Sequence, residues 1–205
     1  ACAVAGQAVV TPFPRMSWHE AMARYGSDKP DLRLPPLADV GAHFSPADRA
    51  QLKLPEDLPL LALHIPAVGT LSRRERDELR PLAEGRPVRL FEDFARIAKA
   101  YPAAAAAITA QLGAAEADLI VLVAAGDQIR EARQPWLTLH THAGALRLAL
   151  AQRFADRHRL LDPRLFRFLW VTEFPMFEWD EEEKRWAAAH HPFTSPHEED
   201  MERLV

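Results

Sequence analysis

The sequence predicts an α+β fold, because it combines short apolar runs typical of strands with segments whose apolar residues recur at helical spacing. The run 60–65 is apolar and bounded by prolines, and 118–124 is the stronger candidate for a buried strand. A polar stretch at 181–185 lies between two tryptophans and predicts the tip of a hairpin. Helical spacing is clearest near the end of the middle region, where apolar residues stand at positions 139, 143, 146, 150 and 154.

The first predicted helix spans 18–25. Ser17 and Glu20 have the spacing of a capping box, and Gly26 is suited to the C-terminal cap. Three prolines then disfavour helix as far as position 36, so 26–36 is predicted to be an extended loop.

Capping residues and helix breakers divide the middle of the chain. Ser45 precedes a proline and Ser72 begins a second capping box, so each starts a predicted helix. Pro102 separates two further helical segments, and Gly113 closes the alanine-rich one. Helices are therefore predicted over 46–52, 73–83, 90–99, 103–112 and most of 136–161. Near the end of the chain, strands are predicted over 168–172 and 186–190.

Composition excludes several classes of protein. The 205 residues suffice for one large domain or two small ones, and the net charge of −4 argues against a free-standing RNA-binding module. The single cysteine, Cys2, excludes an internal disulfide framework and indicates a reducing compartment, so a cytoplasmic location is expected. No apolar run approaches the ~18 residues that a membrane span needs. The absence of an initial methionine suggests that the chain begins inside a longer one.

Two blocks of sequence have an order of residues that neither helix periodicity nor strand alternation requires. One runs Phe168-Leu-Trp-Val-Thr-Glu-Phe-Pro-Met-Phe-Glu-Trp-Asp180 and continues, after the hairpin tip, with His190-His-Pro-Phe-Thr-Ser-Pro196. The other runs from Pro12 to Arg33 and contains Arg-Tyr-Gly-Ser-Asp-Lys-Pro-Asp-Leu-Arg. Together they resemble bacterial-type aspartyl-tRNA synthetases. The block at 168–196 resembles the part leading into the aspartate pocket. The block at 12–33 resembles the part following the second class II motif.

The resemblance implies an antiparallel-sheet catalytic domain that is interrupted by an α+β insertion of the type called a GAD domain. Residues 1–36 and 166–205 would be catalytic-domain segments, and 37–165 the insertion. Within the insertion, the matching features are the helix start at 71–74, the strand at 117–120 and the helix at 141–147. The chain departs from the pattern over 85–90, where a strand of the family is missing or much altered, which puts the completeness of the insertion's sheet in doubt.

His190 and His191 are the predicted ligands of L-aspartate. A protonated imidazole is a suitable donor for the substrate's side-chain carboxylate. The resemblance implies that His190 contacts bound aspartate, with His191 as its neighbour. Adjacent residues of an extended chain point to opposite sides, so one of the two is expected to face the substrate. The alternative is a histidine pair at the surface end of a strand.

Ser27, Asp28 and Lys29 form the other predicted site, a loop near the active site or the acceptor end of the tRNA. Lys29 could meet phosphate by its charge and Ser27 by its hydroxyl. The alternative is a self-bonded turn in which Asp28 and Asp31 accept backbone amides.

Metal binding is not expected. His140 and His142 are predicted to lie on a helix and to point apart, and neither a cysteine pair nor a His-Glu-x-x-His motif accompanies them. Glu173 and Glu178 are expected at strand ends, without a metal role. The arginines of 73–80 are interleaved with acidic residues, so an ion-paired, solvated helix is expected there.

The resemblance implies a ligase that activates L-aspartate with ATP and Mg²⁺ and transfers it to tRNA(Asp), as a homodimer. The residues that hold ATP and Mg²⁺ in the family lie outside this chain, so its catalytic residues are unknown and the isolated chain is expected to be inactive. A non-catalytic GAD-like module that binds tRNA or a protein partner is the alternative.

Overall fold

A computed structural model of the chain describes residues 11–180, 182–189 and 198–203. In these residues the strands form a four-stranded sheet and two pairs of strands. The strands are β1 (Arg15–Ser17), β2 (Ala38–Asp39), β3 (Leu61–Ile65), β4 (Val88–Phe91), β5 (Leu119–Ala125), β6 (Trp170–Thr172), β7 (Phe177–Asp180) and β8 (Arg185–Ala188). The α-helices are α1 (Trp18–Tyr25), α2 (Pro46–Gln51), α3 (Arg73–Asp77), α4 (Phe94–Ala100), α5 (Pro102–Leu112), α6 (Asp127–Arg130), α7 (Pro135–Arg153) and α8 (Ala155–His158). Short 3₁₀ helices span Gly41–His43, Arg80–Ala83 and Glu198–Arg203.

The four-stranded sheet is antiparallel and has the order β2-β3-β5-β4. Every residue of β3 and β5 is buried, because the sheet is covered on both faces. One face, with Leu63 and Val121, packs against α7. The other, with Leu60 and Leu122, packs against α4 and α5. The predicted buried strand at 118–124, and its packing against the following long helix, are confirmed.

A strand, β4, does form over part of 85–90. Val88–Phe91 pairs with β5 along its whole length, in the region where a strand was expected to be missing or altered. The prediction of helix over 90–99 was wrong at its start. Leu90 and Phe91 face opposite sides of the sheet, as neighbours in a strand do, and each packs into a different core cluster. The helix begins only after Asp93, whose side chain accepts a hydrogen bond from the backbone N–H of Arg96.

A second correction concerns the helix predicted over 73–83. Its capping box is present at Ser72 and Glu75, but α3 ends at Asp77 and a 3₁₀ turn follows at Arg80–Ala83. Pro81 lies in that turn. Proline has no N–H to donate to the carbonyl four residues earlier, and its ring clashes with that carbonyl, so the α-helix cannot continue unbroken. The ion pairing expected along this helix is confirmed, for example between Arg74 and Glu78 at 2.9 Å.

The helix predicted over 18–25 is confirmed at both ends. The Ser17 hydroxyl accepts a hydrogen bond from the Glu20 N–H, and Gly26 adopts the left-handed conformation with φ of +64°. The helices predicted at 46–52 and 103–112 are found at Pro46–Gln51 and Pro102–Leu112.

Two parts of the chain that are far apart in sequence meet through β1 and β6. These strands are parallel, with Arg15 opposite Trp170, Met16 opposite Val171 and Ser17 opposite Thr172. Everything between them in sequence, including the four-stranded sheet, forms the connection. The two blocks that resembled one catalytic region are therefore adjacent in space at Arg15–Ser17 and Trp170–Thr172.

The last strand pair is the predicted hairpin. β7 and β8 are antiparallel and place Trp179 opposite Trp186. Within the residues that the structure describes, no helix is long and apolar enough to cross a membrane.

Candidate active site

The predicted aspartate ligands, His190 and His191, lie outside the described residues, but the backbone leading to them is described. Ala189 directly precedes His190, and its N–H donates a hydrogen bond of 2.9 Å to the carbonyl of Met176. This bond extends the hairpin by one pair beyond β8. The hairpin therefore fixes the chain up to the residue before the two histidines.

A cleft of about 650 Å³ lies where the hairpin, α1 and the start of α7 meet. It brings together Ser27 and Asp28 of the predicted loop with Phe177 and Glu178 of β7, although about 150 residues separate the two groups in sequence. The third loop residue, Lys29, is exposed and is not among the lining residues. The full lining consists of Trp18, His19, Met22, Gly26, Ser27, Asp28, Gln134, Pro135, Trp136, Leu137, Thr141, Pro175, Phe177, Glu178 and Ala189.

One wall of the cleft is a stack of rings. His19 lies parallel to Trp136, with 4.7 Å between ring centroids and 10° between planes. The ring of His140 also contacts Trp136, with 4.0 Å between centroids and 33° between planes. The Nδ1 atom of His140 is 2.8 Å from the carbonyl oxygen of Trp136, to which it is placed to donate. Burial lowers the pKa of His140, so this imidazole is neutral at neutral pH and acts as a packing residue.

The loop edge of the cleft is fixed by a contact between two glycines. A Cβ atom on Gly26 would lie 2.1 Å from the carbonyl oxygen of His140, and one on Gly144 would lie 2.5 Å from the carbonyl oxygen of Tyr25. Only residues without a Cβ allow the end of α1 to approach α7 this closely. The position of Ser27 and Asp28 relative to α7 follows from this contact.

The loop itself is held by local hydrogen bonds. The Ser27 hydroxyl accepts from the Lys29 N–H at 3.1 Å, and the Asp31 carboxylate accepts from the backbone N–H of Arg33 at 3.0 Å. The Arg33 guanidinium also donates to both carboxylate oxygens of Asp31. This contact is the main reason that the pKa of Asp31 is lowered. The backbone contact expected for Asp31 in a self-bonded turn is thus present.

Arg147 holds the next part of the loop and was not singled out by the sequence. Its side chain is only 1% exposed and donates to the backbone carbonyls of Asp31, Leu34 and Pro35, at 2.6–2.8 Å. Burial lowers its pKa to about 10, so the guanidinium stays charged at neutral pH. The available signal was its position on the apolar face of α7, three residues before Leu150, where a charged residue is unusual.

Glu173, expected at a strand end, follows β6 with φ of +59°. The left-handed region is adopted more readily by aspartate and asparagine than by glutamate. The chain turns at this residue from β6 toward the hairpin.

His140 and His142 both lie on α7, as expected. Among the described residues no three His, Cys, Asp or Glu side chains are grouped so that they could hold a metal ion.

Comparison with known proteins connects these features. Residues 3–205 match the sequence model of the family described as tRNA synthetases class II (D, K and N). The chain belongs to this family. The match includes the central segment as well as both blocks that meet at β1 and β6.

Among curated proteins, the chain is 38% identical to the aspartate–tRNA(Asp/Asn) ligase of Acidobacterium capsulatum over 96% of its own length. It is 40% identical to the aspartate–tRNA ligase of Xylella fastidiosa strain 9a5c over 94% of its length. The aspartate–tRNA(Asp/Asn) ligase of Symbiobacterium thermophilum is 36% identical over 97%. The chain spans about a third of the length of these relatives, between 33% and 35%. The predicted resemblance to bacterial-type aspartyl-tRNA synthetases is confirmed.

Proposed function

We propose that the chain is part of an aspartate–tRNA ligase that activates L-aspartate with ATP and transfers the aspartyl group to tRNA(Asp). The observation that carries this proposal is the pairing of β1 with β6. It joins the two blocks that resemble the enzyme's catalytic region, across more than 150 intervening residues. The names of the relatives support aspartate as the amino acid.

In this proposal His190 donates to the side-chain carboxylate of aspartate, and His191 lies beside it. The hairpin brings Ala189, the residue that directly precedes His190 in sequence, to the lining of the cleft. Ser27 and Asp28 form the opposite edge and Lys29 stands outside it, where its charge would suit a phosphate of tRNA. ATP and Mg²⁺ supply the activating chemistry in the family, and we assign their ligands to the rest of the protein.

Residues 1–36 and 166–205 are proposed as catalytic-domain segments and 37–165 as a GAD-type insertion. The central sheet supports this division, since it has its own core on both faces. The protein is further proposed to be cytoplasmic and to act as a homodimer, as the family resemblance implies. A solitary insertion-type module is less well supported, because the family match covers both ends as well as the middle.

Amino-acid-dependent ATP–pyrophosphate exchange by the whole protein tests the proposal. The family comprises the synthetases for aspartate, lysine and asparagine, so exchange is compared with these three amino acids at equal concentration. Exchange is expected with aspartate and not with the other two, because asparagine and lysine lack a second carboxylate to pair with a protonated histidine. Exchange driven by lysine or asparagine instead would overturn the assignment.

A further inference from the structure

The side chain of Arg133 connects the hairpin to the central segment of the chain. The guanidinium carbon of Arg133 lies 3.8 Å from the ring centroid of Trp179 and 5.3 Å from that of Trp186. The two indoles are themselves in contact, edge to face, with 5.7 Å between centroids and 78° between planes. Both distances from the cation are within the ~6 Å range of a cation–π interaction.

The Arg133 side chain starts from a well-anchored part of the fold. It lies in the short link between α6 and α7, two residues before Pro135 begins the long helix. Leu139 and Ala143 of that helix are completely buried in the main core cluster. The backbone of Arg133 is therefore held by the central segment, and its side chain reaches the hairpin.

The hairpin is a largely exposed element in the described part of the chain. Its two strands form a sheet of their own. Large apolar side chains on it are exposed, with Phe177 at 58% and Trp186 at 49%. A two-stranded hairpin is at best marginally stable in water, so a contact that bridges both strands has a large effect on where it lies.

We infer that Arg133 is a positioning residue: by binding both tryptophans it holds the hairpin, as far as Ala189, against the cleft. This inference rests on the proposed function only for the role of the histidines. Arginine suits the position, because its planar guanidinium stacks on indole rings, whereas the compact ammonium of lysine does so less well.

The contact itself can be tested in the 205-residue chain without any activity. Amide hydrogen exchange over 177–189 is compared for wild type, Arg133→Ala and Arg130→Ala. Arg130 is exposed, lies three residues away and lines a different cleft, so its loss removes the same charge without touching the tryptophans. Exchange in the hairpin is expected to become about two- to fivefold faster in Arg133→Ala alone. This is the change that follows from losing the ~0.5–1 kcal/mol that an exposed cation–π contact contributes. Equal exchange in both variants would overturn the inference.

The effect on the site is measured in the whole protein. Arg133→Ala is expected to raise KM for aspartate about two- to fivefold, with smaller changes in kcat and in KM for ATP, because only the hairpin is displaced. Arg133→Lys is expected to be intermediate, and Arg130→Ala to behave as wild type. If hairpin exchange rises but KM for aspartate does not, the positioning role is wrong.

The two proposals fail in different ways. A wild-type protein without aspartate-dependent exchange contradicts the proposed function, whatever Arg133 does. An active wild type in which Arg133→Ala and Arg130→Ala have equal KM for aspartate contradicts the inference about Arg133 alone.

Discussion

At the scale of single residues, the site depends on side chains whose roles are set by what surrounds them. Ser27 and Asp28 were picked out by sequence and lie on the cleft, whereas Lys29 does not line it. Arg133 and Arg147 were not picked out, because their partners are backbone carbonyls or tryptophans far away in sequence. Such contacts depend on tertiary placement. For Arg147 the sequence offered one local signal, a charged residue on the apolar face of a predicted helix.

His190 gives the first prediction, in the whole protein. Replacing it with alanine leaves a substrate carboxylate poorly paired. Losing a hydrogen bond to a charged group costs about 1.5–3 kcal/mol, so KM for aspartate is expected to rise roughly tenfold to a hundredfold. KM for ATP is expected to change much less. Steady-state kinetics of His190→Ala and His191→Ala are compared, and an effect confined to the second variant would show that the wrong histidine was chosen.

Gly144 gives the second prediction. Alanine normally stabilises a helix by about 1 kcal/mol relative to glycine. Here a Cβ would lie 2.5 Å from the carbonyl oxygen of Tyr25 and 2.7 Å from that of Gly26. Gly144→Ala is therefore expected to lower the free energy of unfolding by about 1–3 kcal/mol, measured by urea denaturation of the chain. The exposed Gln152→Ala on the same helix should stay within about 0.5 kcal/mol of wild type. A stabilised Gly144→Ala would show that the close approach does not exist.

At the scale of elements, the fully buried strands and well-capped helices followed from the sequence because their signals are local. β4 did not, since Leu90 and Phe91 also fit the spacing of the helix that follows them. Pairing with β5 decided between the two, and that partner lies about 30 residues further along the chain. The break after α3 was readable from Pro81, which the prediction of a helix to 83 neglected.

Asp118 joins three elements at one end of the central sheet. Its carboxylate is 2.8 Å from His64 Nε2 and accepts from the backbone N–H groups of Ala67 and Ala115, each at 2.9 Å. Burial raises its pKa, but the Ala67 N–H, His64 and the Ala115 N–H together outweigh that effect, and the pKa is lowered from 3.8. A lowered carboxyl pKa means stability that is present above about pH 3.8 and lost as the pH falls through the folded-state value.

Asp118→Asn is therefore expected to lower the free energy of unfolding by about 1–3 kcal/mol at pH 7. The difference from wild type should shrink as the pH falls below about 4, where the wild-type carboxylate also becomes protonated. Asp77→Asn is the matched control, because Asp77 makes only exposed ion pairs of 3.8–3.9 Å and should cost less than about 1 kcal/mol. A difference for Asp118→Asn that does not depend on pH would contradict this account.

At the scale of the whole molecule, the fold places β1 and β6 side by side, and both core clusters lie in the part of the chain between them. This arrangement forms one cleft from loop 26–28, the start of α7 and the hairpin. Within the described residues it groups no three His, Cys, Asp or Glu side chains that could hold a metal ion. The chain spans about a third of its curated relatives, and we expect the other groups of the reaction to come from the remainder.

Charging of tRNA(Asp) with labelled aspartate, by the whole protein and by the 205-residue chain in parallel, tests the central claim most directly. The whole protein is expected to form aspartyl-tRNA in an ATP-dependent reaction. The isolated chain is expected to form none above background. Adenylyl transfer needs positive charges placed against the phosphates, and we assign those groups to the rest of the protein. Aspartate-dependent charging by the isolated chain, or its absence from the whole protein, would contradict the account.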